Sequence, residues 1–180
     1  IPWFSHIRIE AEDSVAIEKP ETVNAGAVEK PAIAVVRLPR ISNFTDFDPL
    51  QDTEGLSLYY LEAVQDLSPF SAVILPGSKN TRADMEWLQH TGWADQIRAY
   101  HSAGGHVLGI CGGYQMLGRK IADPDGLEGK PGETEGLGLL GSETRLAAPK
   151  TTTLARFTWE GVERTGYEIH MGRTETGDSA

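Results

Sequence analysis

Between His106 and Gly118 the chain reads HVLGICGGYQMLG, and this stretch constrains the fold more than any other. The apolar run Val107 to Ile110 has the composition of a buried strand. Gly112 and Gly113 follow the sole cysteine, Cys111, and Tyr114 to Leu117 carry a short helical pattern. Strand, sharp turn and helix start in direct succession make an elbow. The turn residue is lifted out at the end of a sheet, and small neighbours let the backbones approach. The first free N–H groups of the helix point towards whatever binds there. The partial positive charge at a helix N-terminus favours thiolate, the nucleophilic form of cysteine. The same N–H groups suit a developing oxyanion, and stabilising that charge is what lowers the barrier most in acyl transfer. Gln115 lies four residues on, on the same helix face as Cys111, and is placed to hold a ligand beside the sulfur. A lone cysteine packed as a small hydrophobe is the competing explanation, and the flanking glycines and the glutamine weigh against it.

Composition narrows the partners. With 180 residues, 39% of them hydrophobic, the chain is expected to form one soluble domain with a proper core. Its 16 basic against 26 acidic side chains give a net charge of −10, which argues against nucleic acid as a partner. One cysteine excludes an intrachain disulfide framework and a cysteine zinc site, and fits a reducing compartment. His90, His101 and His106 lack metal-ligand spacing, so no metal is expected. No apolar run is long enough for a bilayer and no signal peptide is visible, so no membrane partner and a cytoplasmic location are expected. The opening IPWFSH lacks an initiator methionine and reads as part of a longer polypeptide.

Residues 1–29 are mixed and acidic, and read as the tail of something upstream plus a linker. Ala32 to Pro39 is a β-branched run bounded by prolines, a buried strand. Asn43, Thr45, Asp46 and Asp48 form a turn with Asx caps, because they lack the glycine and terminal glutamate of a calcium loop. Leu56 to Glu62 is assigned as a strand, although Leu61, Val64 and Leu67 would also suit a helix. Ala72 to Leu75 is a further buried strand, broken by Pro76 and Gly77, so its loop lies at the ligand-binding edge of an open α/β sheet. Lys79 in GSKNT lacks the glycine spacing of a phosphate loop. Thr81 caps the next helix, with Asp84 reaching back, and Met85 and Leu88 face inward. Trp93, Ile97 and Tyr100 form the core stripe of a second helix ending at Gly104 and Gly105.

Strand, helix, strand, helix implies a parallel sheet with right-handed crossovers. Asp123 to Gly141, rich in glycine, is expected to be an irregular flap or docking surface. Ser142 to Ala147, Thr151 to Trp159 and Tyr167 to Met171 alternate as strands of an antiparallel ribbon added to that sheet. The fold class is therefore α/β, an open, mostly parallel sheet flanked by helices, with antiparallel strands near the C-terminus.

GICGGYQ, Gly109 to Gln115, resembles the GxCxGxQ pattern of the class I (triad) glutamine amidotransferases. That resemblance implies a flavodoxin-like sheet and a cysteine, Cys111, that attacks the side-chain amide of glutamine, forms a glutamyl thioester and releases ammonia. It also implies Gly77 and Gly112 as oxyanion donors and Gln115 as a substrate-binding residue. Taken together, LPRISNFTDFDPL, ILPGSKNT, GICGGYQMLG, EGLGLL and GYEIHMGRTE are similar to the glutaminase domain of the cobyric acid synthase family, from about Ile33 to Glu175. The likeness implies amidation of peripheral carboxylates of a corrinoid, adenosylcobyrinic acid a,c-diamide. That substrate is shared with an upstream domain that uses ATP and magnesium, and the glutaminase domain needs no cofactor.

On this likeness residues 1–29 are the end of the ATP-binding domain and a linker, and residues 30–180 are a glutaminase domain truncated at its C-terminus. His170, with Glu168 or Glu175 to orient it, is the only histidine after Cys111. The family's base lies in a later Gly-Thr-Tyr-Leu-His segment, so low activity is expected of this chain alone. From residues alone, an elbow cysteine also suits a hydrolase of esters or peptides, and the flap and acidic surface suit a catalytically silent interaction domain.

Overall fold

A computed structural model describes residue 28 and residues 31–177, so the reading of residues 1–29 falls outside it except at Val28. In chain order the elements are β1 (Ala32–Val36), a 3-10 turn (Phe44–Phe47) running into α1 (Asp48–Gln51), β2 (Ser57–Leu61), β3 (Ala72–Leu75), α2 (Thr81–Thr91) and α3 (Trp93–Ser102). Then follow β4 (His106–Gly109), α4 (Gly112–Leu117), β5 (Lys120–Asp123), β6 (Gly132–Glu135), β7 (Ser142–Arg145), β8 (Thr151–Trp159), β9 (Val162–His170) and β10 (Arg173–Thr176).

The first sheet runs β2-β1-β3-β4 and is parallel throughout. Its strands are short apolar runs because a parallel sheet is covered on both faces. Ala34, Val36, Val73 and Leu75 pack on one face against Met85, Leu88, Trp93 and Ile97, the inward stripes of α2 and α3. Val35 and Ile74 on the other face meet Phe47 from the 3-10 turn. Each fully buried valine, leucine, isoleucine, methionine or phenylalanine among them contributes roughly 1.5–3 kcal/mol, so the strand ends that carry the loops are firmly placed. No helix among the described residues is long and apolar enough to cross a membrane.

Five expectations change. The turn over residues 43–48 forms without Asx caps, since Asn43 makes no side-chain cap hydrogen bond and Phe47 stands at the N-cap of α1. The strand before Cys111 is not buried on both faces: β4 is the edge of its sheet, and Leu108 is 54% exposed. The C-terminal strands do not extend the parallel sheet. Instead β10-β7-β5-β6 form a second, mixed sheet in which β5 pairs parallel with β7, while β8 and β9 pair only with each other. Helix α4 joins the two sheets by touching β3 and β4 of the first and β5 and β7 of the second.

The glycine-rich segment is not a free flap either. It contains β6, and the buried carboxylate of Asp123 accepts from the N–H of Leu127 at 2.8 Å and of Glu128 at 2.9 Å. Glu128 in turn fixes α2, its carbonyl accepting from Asn80 Nδ2 at 2.7 Å and its carboxylate from the Arg82 N–H at 3.0 Å. Lastly, Asn80, not Thr81, caps α2, accepting from the Ala83 N–H at 2.9 Å. Thr81 and Asp84 are thereby freed to turn inward, both of them buried.

Candidate active site

The elbow forms because two glycines allow it. A Cβ on Gly109 would come within 2.5 Å of the Tyr114 nitrogen, and one on Gly113 would overlap the carbonyl oxygen of Leu75. These positions flank Cys111 at two residues on either side, the arrangement of a nucleophile elbow. The cysteine itself adopts φ 50 and ψ −110, outside the conformations ordinary L residues prefer. Such strain costs about 1–3 kcal/mol and persists only where the surroundings over-determine it. Here they do: the Ile110 N–H donates to the Leu75 carbonyl at 2.9 Å, and the Gly113 N–H donates to the Ile110 carbonyl at 2.8 Å.

Cys111 is exposed and opens on a cleft of about 660 Å³ between α4 and the strands β9 and β10. Tyr114 and Gln115 line it from the elbow, and Glu168, His170 and Arg173 line it from across. Gly77 and Gly112 are buried beside the cysteine and do not line the cleft. A Cβ on Gly77 would lie 3.9 Å from that of Cys111, and one on Gly112 would lie 3.0 Å from the Ser78 nitrogen. The two loops are thus in contact. As the first residue of α4, Gly112 has an N–H with no acceptor inside the helix, and the Gly77 N–H has no backbone acceptor among the described residues.

The Gly77 loop is held from behind by a network that the sequence reading missed. Ser78 Oγ donates to Asp84 Oδ2 at 2.6 Å, and Arg40 Nη1 donates to Asp84 Oδ1 at 3.1 Å. The chain before α1 runs alongside, with the Ser42 N–H on the Gly77 carbonyl at 2.9 Å and the Lys79 N–H on the Arg40 carbonyl at 2.8 Å. Burial pushes the Asp84 carboxyl above its ordinary pKa, against the opposing hydrogen bonds from Ser78 and Arg40. The sequence signal was the acidic residue in the first turn of α2, read there as a cap.

Gln115 is buried, its oxygen accepting from Thr81 Oγ1 at 3.3 Å and its amide nitrogen donating to the Met171 carbonyl at 3.2 Å. It therefore ties the elbow to the turn between β9 and β10. One amide hydrogen of its side chain remains after that bond.

Both ring nitrogens of His170 face acceptors, Nδ1 the Gly172 carbonyl at 3.0 Å and Nε2 the Glu168 carboxylate at 2.8 Å. In this arrangement neither nitrogen is open to take a proton from Cys111. Glu168 and His170 are i and i+2 on one strand, a spacing that places them on one face. The structure brings Glu175 to the cleft as well, but it is Glu168 that holds the imidazole. Among the described residues no cluster of histidine, cysteine, aspartate and glutamate could hold a metal ion.

Comparison with known proteins agrees with this geometry. Residues 32–180 match the family model of the CobB/CobQ-like glutamine amidotransferase domain. A cobyric acid synthase of Chlorobium phaeobacteroides is 47% identical over 178 residues, which is 97% of this chain and 35% of that protein. One of Cereibacter sphaeroides is 45% identical over 184 residues, 100% of this chain and 37% of that protein. The chain thus spans about a third of the length of the curated relatives it matches. Among solved structures, PurLQS from Thermotoga maritima superposes with a TM-score of 0.59 at 19% identity, covering 82% of this chain and 70% of that one. A crystal structure of a glutamine amidotransferase gives 0.59 at 18% identity, covering 81% and 75%. Those two likenesses concern the fold, an α/β parallel sheet with flanking helices and added antiparallel strands. With the family model covering most of its length, the chain belongs to the CobB/CobQ-like glutamine amidotransferase domains.

Proposed function

We propose that this domain hydrolyses glutamine through a thioester on Cys111 and supplies the ammonia to an amide-forming enzyme of the cobyric acid synthase type. The observation that carries the reading is the strained, exposed cysteine opening on a cleft, with the amides of Gly77 and Gly112 beside it. The sulfur adds to the side-chain carbonyl carbon of glutamine, and the electron pair of the C=O bond moves onto oxygen. The N–H groups of Gly77 and Gly112 donate to that oxyanion, a contribution worth several kcal/mol in acyl transfer. Collapse breaks the C–N bond and ammonia leaves with the proton given up by the thiol. Water then adds to the thioester, the C–S bond breaks, and glutamate departs from the restored cysteine.

Gln115 is assigned to the substrate wall through its remaining amide hydrogen. His170 is not assigned the proton transfer, because its nitrogens already face Glu168 and Gly172. No residue among those described is assigned the proton transfer. Beyond this domain, in the part of the polypeptide that the relatives have in addition, ATP and magnesium would activate the carboxylates of a corrinoid acceptor. The setting is cytoplasmic, with neither nucleic acid nor membrane as a partner.

A glutamine-mimicking chloromethyl ketone tests the reading. It is expected to add one label, on Cys111, at a rate that free glutamine suppresses, and Cys111→Ala is expected to take none. Labelling that esters suppress and glutamine does not would make the protein a general cysteine hydrolase.

A further inference from the structure

The outer face of the second sheet carries charges in an arrangement that costs stability. In the antiparallel pairing of β7 with β10, Arg145 stands directly opposite Arg173 and Glu143 directly opposite Glu175. Like charges placed across from one another are destabilising, and sheets ordinarily alternate them. The acidic pair is partly relieved, because Lys120 Nζ lies 3.5 Å from Glu143 and 3.6 Å from Glu133. Nothing comparable reaches the arginines: the side chains of Arg145 and Arg173 have no hydrogen bond or ion pair among the described residues, and neither has that of Lys150.

These three cations converge on one cavity of about 700 Å³, walled by the backbone from Ala147 to Thr151 and at Gly172, and its sheet floor also carries Lys120 with Glu133, Glu143 and Glu175. That volume lies within the range of small-molecule sites, about 300–1,000 Å³. Lys120 holds Glu133 and Glu143, so the positive charge left without an ion pair among the described residues is confined to Arg145, Arg173 and Lys150, on a chain of net charge −10.

We infer that Arg145, Arg173 and Lys150 form a site for a small molecule bearing two or more anionic oxygen groups, carboxylate or phosphate. Each guanidinium offers a planar fork that matches either group bidentately, and Lys150 adds a mobile point charge at the rim. A bound anion would offset the repulsion between the two arginines. Arg173 and Glu175 line both this cavity and the Cys111 cleft, so the ligand lies against a wall that the two share. The inference is independent of the glutaminase reading and is tested without it.

Calorimetric titration of the protein with citrate and, separately, with pyrophosphate distinguishes the two anion classes. Saturable binding of at least one is expected, about tenfold weaker in Arg145→Gln and in Arg173→Gln, less affected in Lys150→Gln and unchanged in Arg164→Gln on the hairpin. Without ligand, Arg145→Gln is expected to melt at or above the wild-type temperature, since it removes a repulsion. Absence of saturable binding by either anion at millimolar concentration overturns the site. Equal losses in all four variants do the same, because they would reflect net charge alone. A lower melting temperature for ligand-free Arg145→Gln would count equally against it, by showing the arginine pair to be a stabilising contact.

Discussion

The elbow and the β8–β9 hairpin are built on opposite plans, although both face the same cleft. Around Cys111 each neighbour is held by another: α4 sits on buried Met116 and Leu117, and Ile110 bonds across to β3. The hairpin relies on its own two strands. Leu154, Trp159 and Tyr167 are 63%, 65% and 79% exposed, and Leu154 stands opposite Tyr167 across the ribbon. A two-stranded ribbon in water is marginal at best. The base of that ribbon nevertheless supplies Glu168 and His170 to the cleft, tied back through Met171 to Gln115. One wall is therefore over-determined by packing, and the other is held by local pairing and a few hydrogen bonds. On the proposed function this division suits the chemistry: a nucleophile needs a fixed position, while a wall that admits substrate belongs among the less stable elements of a fold.

The largest expected effect comes from adding one methyl group to each region. Gly113→Ala drives a Cβ into the Leu75 carbonyl, which as strand backbone has nowhere to go. A loss at or beyond the upper end of ~1–3 kcal/mol is expected in urea unfolding, together with loss of Cys111 labelling. Gly166→Ala on β9 meets only the edge of the Phe157 ring, 3.3 Å away. There the change is expected to stay within about 0.5 kcal/mol. Equal effects at the two positions would erase the contrast.

A middle-sized effect is expected behind the Gly77 loop. Asp84→Ala leaves Ser78 without its acceptor and Arg40 without its partner, at a cost of about 1–3 kcal/mol. It is also expected to slow Cys111 labelling as the Gly77 loop loosens. The pH dependence separates this carboxylate from Asp123. The Asp84 pKa is raised by burial, so the native state binds that proton first. Relative to Asp84→Asn, the wild type gains stability as pH falls from neutral towards 3.8.

At Asp123 burial works against the charge, but the N–H groups of Glu128 and Leu127 and the Arg82 guanidinium together outweigh it and lower the pKa. Its stabilisation is present above 3.8 and is lost as pH falls below that value. Opposite slopes in the two variants, measured by unfolding at a series of pH values, are the expected result. Parallel slopes would show that the two sites are not differently solvated.

What the sequence revealed follows the same division. Gly109, Cys111 and Gly113 were legible because an elbow is a local device: close approach of backbones demands glycine at fixed spacing. For His170 the sequence left Glu168 and Glu175 both open, and only the fold decided for Glu168, two residues away on the same strand. The apolar run before Cys111 misled, since a run of that kind does not distinguish a central strand from an edge, and Leu108 is on the edge. Glycines between Asp123 and Gly141 masked β6, whose register is set by β5 and not by its own residues. The second sheet was illegible because its parallel β5–β7 pair and the β7–β10 pair, which opposes Arg145 to Arg173, join segments that carry no mutual signal. Thr81 and Asn80 are both competent caps, and the buried Gln115, which takes the Thr81 hydroxyl, leaves the cap to Asn80.

The smallest expected effect lies on the hairpin face itself. Tyr167→Thr removes the most exposed large apolar side chain among the described residues without uncovering anything, because the ring is already in water. What it loses is the cross-strand contact with Leu154, a pair of the kind worth roughly 0.2–1 kcal/mol, set against the good strand propensity of threonine. A change near 0.5 kcal/mol is therefore expected, with amide exchange across Thr151–Trp159 and Val162–His170 remaining faster than in Ala72–Leu75. If Tyr167→Thr instead cost as much as truncating a core side chain, the hairpin would have to be covered in solution. The cleft would then have two fixed walls, and substrate entry would need a different moving part.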